Sequence, residues 1–490
     1  MTRKPLITAL AFGSATLAGG ASLDFDPAQY SEKTVTVNGE TITYRAYENI
    51  PYVANPVDAA HQTINIYIPA AYYNGGSING YSAATAPIYL PNQIGGYMPA
   101  SAGVPGASGF GPKKEGADAM QTALAKGYIV ASPGARGRTS ANGKAPAAII
   151  DLKAAVRYLK HNDANMAGDA GKIISNGTSA GGALSILLGA SGNAPDYDAA
   201  LKTLGAADAP DDIYAVSAYC PISILDHADS AYEWEFHGVN DYEKIDVRQV
   251  DYHVERQLQK GTLSAAEQQT SADLKAQFPA YLNSLNLKNT DGTPLTLDAD
   301  GNGNFRDAVA AYLGKSAETA LKNGQTTAAQ LAADHPWLTL DGDRVTAVDF
   351  AAYAKTIGRQ KTPPAFDALD LSSGENQLFG SASEDKRHFT AYSQTHSSVA
   401  GAGMADAAAI KQMNPLHYIS DKTAPQHWRI RVGTADRDTS HAIAVILASK
   451  LADSGKTVDL AMPWQVPHSG DYDLDELFAW MDNVVKNGQP

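Results

Sequence analysis

The sequence predicts an α/β protein whose doubly wound, mostly parallel sheet is interrupted by one large, mainly helical lid insertion. Three observations lead to this architecture. Short β-rich runs alternate with helical patterns in the first part of the chain and again near its end. Between about Pro221 and Pro425 the alternation stops. A serine flanked by glycines directly follows one of the β-rich runs, at a predicted strand-to-helix turn.

The predicted strands begin with an antiparallel pair. Residues 34–37 and 41–46 are joined by Asn38-Gly39, and Asn-Gly suits the two-residue turn of a hairpin. The later β-rich runs cover residues 63–69, 86–90, 127–131, 172–175, 213–220, 427–432 and 458–464. An antiparallel start followed by strand–helix alternation is typical of a doubly wound sheet.

Helical patterns separate several of these runs. In residues 147–161 the apolar side chains recur on one side of a helix. Pro146 suits the first turn of that helix, where its missing N–H costs nothing. Residues 442–454 and 473–485 carry helical patterns near the end of the chain.

The interrupting segment is charged, rich in alanine and helical in pattern, for example over residues 265–285 and 305–322. A chain of 490 residues is also too long for one minimal core. We therefore predict that residues 222–425 form a lid insertion, and that residues 22–221 and 426–490 form the two parts of the core.

Composition excludes several classes of partner and site. The chain is 44% hydrophobic and 18% charged, as in ordinary soluble globular proteins. Its formal net charge is -14 and it has no Lys/Arg-rich run, which argues against nucleic acid or an anionic membrane as a partner. The single cysteine, Cys220, excludes an intrachain disulfide and a Cys-based zinc site. It lies in an apolar run, so we predict a buried structural thiol.

The N-terminus has the pattern of an export signal. Thr2-Arg3-Lys4 is a short basic start, residues 6–18 are modestly apolar, and residues 18–22 are small, as at a signal peptidase site. The stretch is too short and too rich in Gly, Ser and Thr to span a bilayer. Residues 1–21 therefore predict a signal peptide and a secreted or periplasmic protein, with a frayed cytoplasmic N-terminus as the alternative.

The candidate chemistry begins at Gly177-Thr178-Ser179-Ala180-Gly181. A Gly-x-Ser-x-Gly match alone is weak evidence in a glycine-rich chain. Here an apolar strand precedes it and a helical run follows, which is the context of a nucleophile elbow. This turn lifts the serine hydroxyl to a helix N-terminus, where backbone N–H groups favour a developing oxyanion. The pattern therefore predicts an α/β-hydrolase fold with Ser179 as nucleophile; the alternative is an ordinary N-cap serine.

A serine nucleophile needs a base, and in this fold the order along the chain is serine, acid, histidine. Of the twelve histidines, His468 is the one that directly follows the last predicted strand with one helix still to come. We therefore predict that His468 is the base. The acid should follow the preceding strand, and on order alone either Asp436 or Asp438 fills the role.

An oxyanion hole requires two backbone donors. The N–H of Ala180, directly after the nucleophile, is the first candidate. The second should come from the loop after an early strand, where Gly95 and Gly96 let the backbone approach a substrate carbonyl. We therefore predict that the backbone N–H of Gly96 or Gly95 is the second donor of the oxyanion hole, although a plain turn would also explain the two glycines.

No metal and no cofactor are expected. Residues 298–303 resemble the first half of a calcium loop, but the twelfth position is Val309 instead of glutamate. An ordinary Asp/Asn/Gly turn is the preferred interpretation.

Several segments together resemble one enzyme family, the bacterial tannases. The similarity extends from about Thr34 to the C-terminus. The segments that carry it are residues 91–97, 178–182, 218–221, 364–371, 427–431, 435–440 and 467–473. The serine elbow is shared by many hydrolases, whereas the two late segments and the lid segment are far more specific.

The resemblance implies a small-molecule substrate, namely the galloyl ester and depside bonds of tannins and simple gallates, hydrolysed through an acyl-enzyme to gallic acid. It also implies that Asp436 is the triad acid and that Asp438, Lys361 and Glu375 bind the galloyl hydroxyls. The chemistry is consistent, because carboxylates accept phenolic protons and an ammonium donates to a phenolic oxygen. Residues 249–314 match the family loosely, which leaves the leaving-group preference open.

Other functions remain possible at this point. A feruloyl or general aryl esterase would use the same triad. A peptidase is less consistent, since nothing here resembles the β-propeller that gates many oligopeptidases of this fold. A non-catalytic binding protein on a hydrolase scaffold would be expected to have lost the serine or the histidine, and both are present.

Overall fold

The computed structural model describes residues 20–107, 115–250 and 253–488. The predicted signal peptide, residues 1–21, lies almost entirely outside the described residues. None of the helices in the described part is both long and apolar enough to cross a lipid bilayer.

The described chain contains strands in both the core and the lid. They are β1 (Ser31–Val37), β2 (Glu40–Pro51), β3 (Thr63–Pro69), β4 (Pro87–Pro91), β5 (Ile129–Pro133), β6 (Asp169–Thr178), β7 (Ala215–Tyr219), β8 (Asp241–Val250), β9 (His253–Thr262), β10 (Leu338–Asp341), β11 (Arg344–Val348), β12 (His427–Arg431) and β13 (Thr457–Ala461).

The helices alternate with the core strands and fill most of the lid. They are α1 (Ala119–Ala125), α2 (Ala147–His161), α3 (Ala180–Ala190), α4 (Asp198–Thr203), α5 (Leu225–Phe236), α6 (Ala265–Ser284), α7 (Asn304–Lys322), α8 (Ala328–Asp334), α9 (Phe350–Ile357), α10 (Gly374–Leu378), α11 (Ala391–Thr395), α12 (Ala407–Gln412), α13 (His441–Asp453) and α14 (Leu474–Asn487).

The core is a nine-stranded sheet with the order β1-β2-β3-β5-β4-β6-β7-β12-β13. The pairs β1–β2, β2–β3 and β3–β5 are antiparallel. The pairs from β5 through β4, β6, β7 and β12 to β13 are all parallel. The predicted α/β-hydrolase class, with a mostly parallel doubly wound sheet, is confirmed.

Local sequence explains where the core elements form. β3, β4 and β5 are buried along their whole length, as expected of central strands that are covered on both faces. The first hairpin turns at Asn38 and Gly39, whose φ angles of 51° and 83° suit a type I′ turn. Helix α2 begins at Ala147, so Pro146 lies at the capping position, one residue before the predicted first turn.

The segment predicted as a lid, called the lid below, lies between β7 and β12 in the chain. It is mainly helical, as predicted, but it also contains two ribbons that were not predicted. β8 pairs with β9, and β10 pairs with β11, as separate two-stranded ribbons. The ribbon β8–β9 carries charged pairs such as Glu243 and Lys260, whose side chains form an ion pair at 2.7 Å. Because the ribbon is not part of the central sheet, its sequence lacks the apolar alternation by which a half-buried strand is recognised.

Candidate active site

Ser179 occupies a strained turn between β6 and α3. Its φ of 62° and ψ of -120° lie in a region that non-glycine residues rarely adopt. The turn also needs glycines around it: a Cβ added at Gly177 would lie 2.2 Å from the carbonyl oxygen of Gly181, and one at Gly181 would lie 2.4 Å from Oδ1 of Asn92. The Gly-x-Ser-x-Gly pattern therefore reflects a lack of space beside the serine.

The three residues predicted as the triad come together at the carboxyl edge of the sheet. Nε2 of His468 lies 2.8 Å from Oγ of Ser179, and Nδ1 lies 2.8 Å from Oδ2 of Asp436. The Asp436 carboxylate is fully buried, and its Oδ1 accepts the backbone N–H of Asp438 at 2.9 Å. This is the arrangement by which an acid orients a histidine and the histidine takes a serine proton.

Asp438 occupies a different position beside the same imidazole. Its Oδ2 lies 3.3 Å from Nε2 of His468, on the side of the ring that faces Ser179. Its Oδ1 is buried and has no hydrogen-bond partner among the described residues. The sequence order allowed either aspartate as the acid, and the geometry puts Asp436 at Nδ1 and leaves Asp438 facing the pocket.

Burial and charge act in opposite directions on the two triad groups. Burial acts to lower the pKa of His468. The negative charge of Asp436, assisted by that of Asp438, outweighs burial and raises this pKa well above its usual value. Burial acts to raise the pKa of Asp436, yet the neighbouring His468 holds it below its usual range. The pair is therefore stabilised as carboxylate and imidazolium, the charge distribution that forms once the histidine has accepted a proton.

The raised pKa of His468 predicts a pH dependence. Since only neutral imidazole can accept the serine proton, kcat/KM of the free enzyme should fall as pH decreases through a midpoint above about 6.5. Replacing Asp438 by asparagine removes one of the charges that raise this pKa, so the midpoint should move to lower pH. Hydrolysis of an unhydroxylated activated ester measures this without ionisation of ring hydroxyls. An activity that stays flat from about pH 4 to 8 would contradict the role of His468 as base.

The predicted oxyanion donors lie at the same pocket. The N–H of Ala180 belongs to the first turn of α3, where a helix leaves its N–H groups without an intrahelical acceptor. Gly96 lines the pocket with Ser179, and its φ of 56° suits glycine. The guanidinium of Arg138 holds the carbonyl oxygen of Gly96 through a 2.8 Å hydrogen bond from Nε. Of the two predicted glycines, Gly96 is the one that contributes to the pocket lining.

The pocket is a cavity of about 200 Å³ above Ser179, and core and lid both contribute to it. Its lining residues are Gly96, Tyr97, Ser179, Ala180, Ile222, Gln360, Lys361, Glu375, Asp438 and His468. Lys361 and Glu375 come from the lid, so the two predicted lid contacts face the same space as the triad. Small-molecule ligands suit a concave site of this kind.

Three lining residues were not singled out from the sequence as site residues. Tyr97 is buried, and its hydroxyl donates to the carbonyl oxygen of Ile222 at 2.7 Å, which joins the two loops beside Ser179. Gln360 is adjacent to Lys361 in a lid segment whose backbone N–H groups both donate to the hydroxyl of Tyr232 at 3.1 Å. No local sequence pattern distinguishes these residues, because the contacts that define them join distant segments.

One group of potential metal ligands occurs within the described residues. Ligand atoms of Cys220, Asp436 and His468 all lie within 4.8 Å of one another. The hydrogen bond between Asp436 and His468 already uses two of them. Cys220 is buried, as predicted, with Sγ 3.9 Å from Nε2 of His468. At residues 298–302 the Asp298 carboxylate accepts the N–H groups of Asp300 and Asn302, which forms an ordinary turn.

Comparison with known proteins gives consistent results. Residues 87–247 match the sequence family BD-FAE. The crystal structure of Fusobacterium nucleatum tannase is similar with a TM-score of 0.89 and 49% identity, over 95% of this chain and 99% of that chain. Tannase from Lactobacillus plantarum is similar with a TM-score of 0.89 and 47% identity, over 95% and 100% of the two chains. A tannin acyl hydrolase in complex with ethyl gallate has a TM-score of 0.87 and 48% identity, over 94% and 99%.

No curated protein matches the chain at a significant level. The structural likeness nevertheless extends over nearly the full length of both chains in each comparison, and therefore over the sheet and the lid together.

Proposed function

The chain belongs to the tannase family of the α/β-hydrolase fold, and from this premise we propose that it hydrolyses galloyl esters to gallic acid through an acyl-enzyme on Ser179. One observation carries the proposal. The hydroxyl of Ser179 opens onto a cavity that also contains the charged side chains of Lys361, Glu375 and Asp438. A hydrolytic triad and a set of groups able to bind adjacent phenolic hydroxyls therefore share one cavity.

Acylation follows from the hydrogen bonds of the triad. Oγ of Ser179 attacks the ester carbonyl carbon while its proton passes to Nε2 of His468, and Asp436 stabilises the imidazolium that forms. The carbonyl oxygen becomes an oxyanion, which the N–H groups of Ala180 and Gly96 stabilise. The bond to the alcohol oxygen then breaks, and the imidazolium returns its proton to the leaving alcohol.

Deacylation repeats the sequence with water. His468 takes a proton from water, the resulting hydroxide attacks the galloyl carbonyl carbon, and the bond to Oγ of Ser179 breaks. The proton on His468 returns to Ser179, so gallic acid is released and the enzyme is regenerated. One ester and one water are therefore consumed for each alcohol and each gallic acid released.

The charged side chains that line the cavity favour a substrate with a galloyl acyl group. Galloyl carries three adjacent phenolic hydroxyls, whose protons the Glu375 and Asp438 carboxylates can accept while the ammonium of Lys361 donates to a phenolic oxygen. The buried Oδ1 of Asp438 has no partner among the described residues, so a substrate hydroxyl would satisfy it. The alternative, a feruloyl or general aryl esterase on the same triad, would leave part of this charged set unpaired.

Replacement of the ring-binding carboxylates tests the proposal. Glu375→Ala and Asp438→Ala should each lower kcat/KM for methyl gallate. The loss should correspond to about 1–3 kcal/mol of transition-state stabilisation, the usual range for loss of one partner of a buried hydrogen bond. The same substitutions should lower kcat/KM much less for an unhydroxylated activated ester, because that substrate never uses those contacts. Glu375 gives the cleaner result, because Asp438 also lies 3.3 Å from Nε2 of His468.

Asp343→Ala is the matched control, since Asp343 is an exposed acidic residue in a lid turn away from the cavity. It should change neither rate by more than about twofold, in line with surface substitutions generally. If Glu375→Ala loses the same factor on both esters, Glu375 supports the fold or the triad, and the proposed acyl preference is wrong.

The N-terminal pattern supports a further proposal, that the protein is exported from the cytoplasm and loses residues 1–21 or a similar segment. N-terminal sequencing of the protein recovered from its native cell tests this. An intact start at Met1 would contradict it.

A further inference from the structure

A buried carboxylate, Asp367, organises the part of the lid that faces the cavity. Asp367 is fully buried. Its Oδ1 lies 2.7 Å from Nδ2 of Asn376 and 2.7 Å from Nδ1 of His388. Its Oδ2 accepts the N–H of Phe389 at 3.0 Å and the N–H and hydroxyl of Thr390 at 2.8 and 2.7 Å. Five contacts from two lid segments thus meet at one side chain, which suits the two acceptor oxygens of an aspartate.

The Asp367 carboxylate is connected to Glu375 by one short path. Asn376, which donates to Asp367, is the residue directly after Glu375 in α10. Ser373 caps this helix, and its hydroxyl donates to the carbonyl oxygen of Phe366, the residue before Asp367. A helix of five residues has little stability of its own, so these bonds determine where α10 lies.

A second path leads from the same segment to Lys361. The ammonium of Lys361 lies 4.0 Å from the centre of the Phe366 ring, a cation–π contact. The backbone of Phe366 and Asp367 is fixed from the other side by Asp229 on α5, which accepts the N–H of Phe366 at 2.6 Å and that of Asp367 at 3.2 Å. Residues 366–367 therefore lie between the two lid groups that face the substrate ring.

A second buried aspartate, Asp229, lies beside Asp367. Burial, together with the charge of Asp367, raises the pKa of Asp229 to about 8. Nε2 of His388 lies 2.8 Å from the hydroxyl of Ser397. The series Asp367, His388 and Ser397 resembles a catalytic triad in its contacts, but Asp367 and His388 are fully buried, and none of the three lines the substrate cavity.

We propose that Asp367 is a positioning residue for substrate recognition: its carboxylate sets the separation of Lys361 and Glu375, and through them the preference for a hydroxylated acyl ring. The proposal rests on the proposed function, because it acts only through residues that bind the ring. Asp367 touches neither the reacting atoms nor the cavity.

The test compares Asp367→Asn with wild-type enzyme on methyl gallate and on 4-nitrophenyl acetate. Asparagine keeps the shape of aspartate but turns an NH₂ group toward donors, so the contacts to α10 and to residues 388–390 cannot all form. We expect kcat/KM for methyl gallate to fall about tenfold or more, which is the range for a broken buried hydrogen-bond network. Most of this loss should come from an increase in KM. On 4-nitrophenyl acetate the loss should stay within about threefold. Equal losses on both esters would overturn the proposal in favour of a structural role.

Asn376→Ala is the second variant, for the case that Asp367→Asn does not fold. It removes the side-chain bond between α10 and Asp367, together with those of Asn376 to Ser373 and Arg387. It leaves the contacts of Asp367 to His388, Phe389 and Thr390 in place. It should give the same gallate-specific loss. If folded Asn376→Ala protein keeps the wild-type ratio of the two activities, the proposal is wrong.

A double variant separates this proposal from the proposed function. In a Glu375→Ala background, Asp367→Asn should cause a clearly smaller loss of gallate preference than in the wild-type enzyme, because one of the two residues through which it acts is already removed. A full additional gallate-specific loss would overturn the positioning role while leaving the proposed function intact. If Glu375→Ala alone shows no gallate-specific loss, both proposals fail.

Discussion

Ser179→Ala is expected to lower kcat for ester hydrolysis by about 10⁴- to 10⁶-fold, the range for removal of a triad nucleophile. The hydroxyl is the atom that forms the acyl-enzyme, and its Oγ lies 2.8 Å from Nε2 of His468. Alanine is smaller and fits the same turn, so the free energy of unfolding should change little. Initial rates on methyl gallate, with a thermal unfolding curve for each protein, measure both quantities.

His468→Ala should cause a loss of the same order, since the serine then has no base. Asp436→Asn should also be severe, because the asparagine amide favours the wrong tautomer of His468. Because the three residues act as one unit, the combined variants should lose little more than Ser179→Ala alone. Near-normal turnover by Ser179→Ala protein that is free of wild-type enzyme would overturn the assignment of the nucleophile.

The sequence predicted the central sheet well because its strands are buried on both faces. β3 was predicted with its observed bounds, and β6, predicted as residues 172–175, spans Asp169–Thr178 because its polar ends carry no apolar pattern. The ribbon β8–β9 was not predicted. It lies outside the central sheet, so its sequence lacks the apolar alternation on which a strand prediction depends.

Some residues of the site could be predicted from their position along the chain, whereas others are defined only by contacts between distant segments. Ser179 and His468 follow directly from the order of strands and loops. That order narrows the acid to Asp436 or Asp438, and the family resemblance, not the order, implied Asp436. Lys361 and Glu375 were named through the family resemblance alone, since an isolated lysine or glutamate in a polar lid has no distinguishing pattern. Asp367 was not singled out, because its role arises from contacts with residues such as Asn376 and His388 that only the folded lid brings together.

The largest expected difference between substrates concerns the ring hydroxyls. Methyl benzoate should be hydrolysed about 10⁴-fold less efficiently than methyl gallate, measured as kcat/KM. Sites that pair buried polar groups with a substrate hydroxyl reject the stripped analogue by about this factor, whereas shape selection alone gives about 10–200-fold. Without the hydroxyls, the charged groups of Lys361, Glu375 and Asp438 would lose water and gain no partner in return.

Methyl ferulate tests the same cavity by a different change, because its acyl arm is longer and one of its hydroxyls is methylated. A methylated hydroxyl has no proton to donate to the Glu375 or Asp438 carboxylate, and the longer arm moves the ring relative to Ser179, so this ester should also be poor. Glu375→Ala should narrow the difference between gallate and benzoate, since part of the penalty for the bare ring is the unpaired carboxylate. Comparable kcat/KM values for methyl benzoate, methyl ferulate and methyl gallate would contradict recognition of the ring hydroxyls. The chain would then be a serine esterase that recognises other features of its substrate.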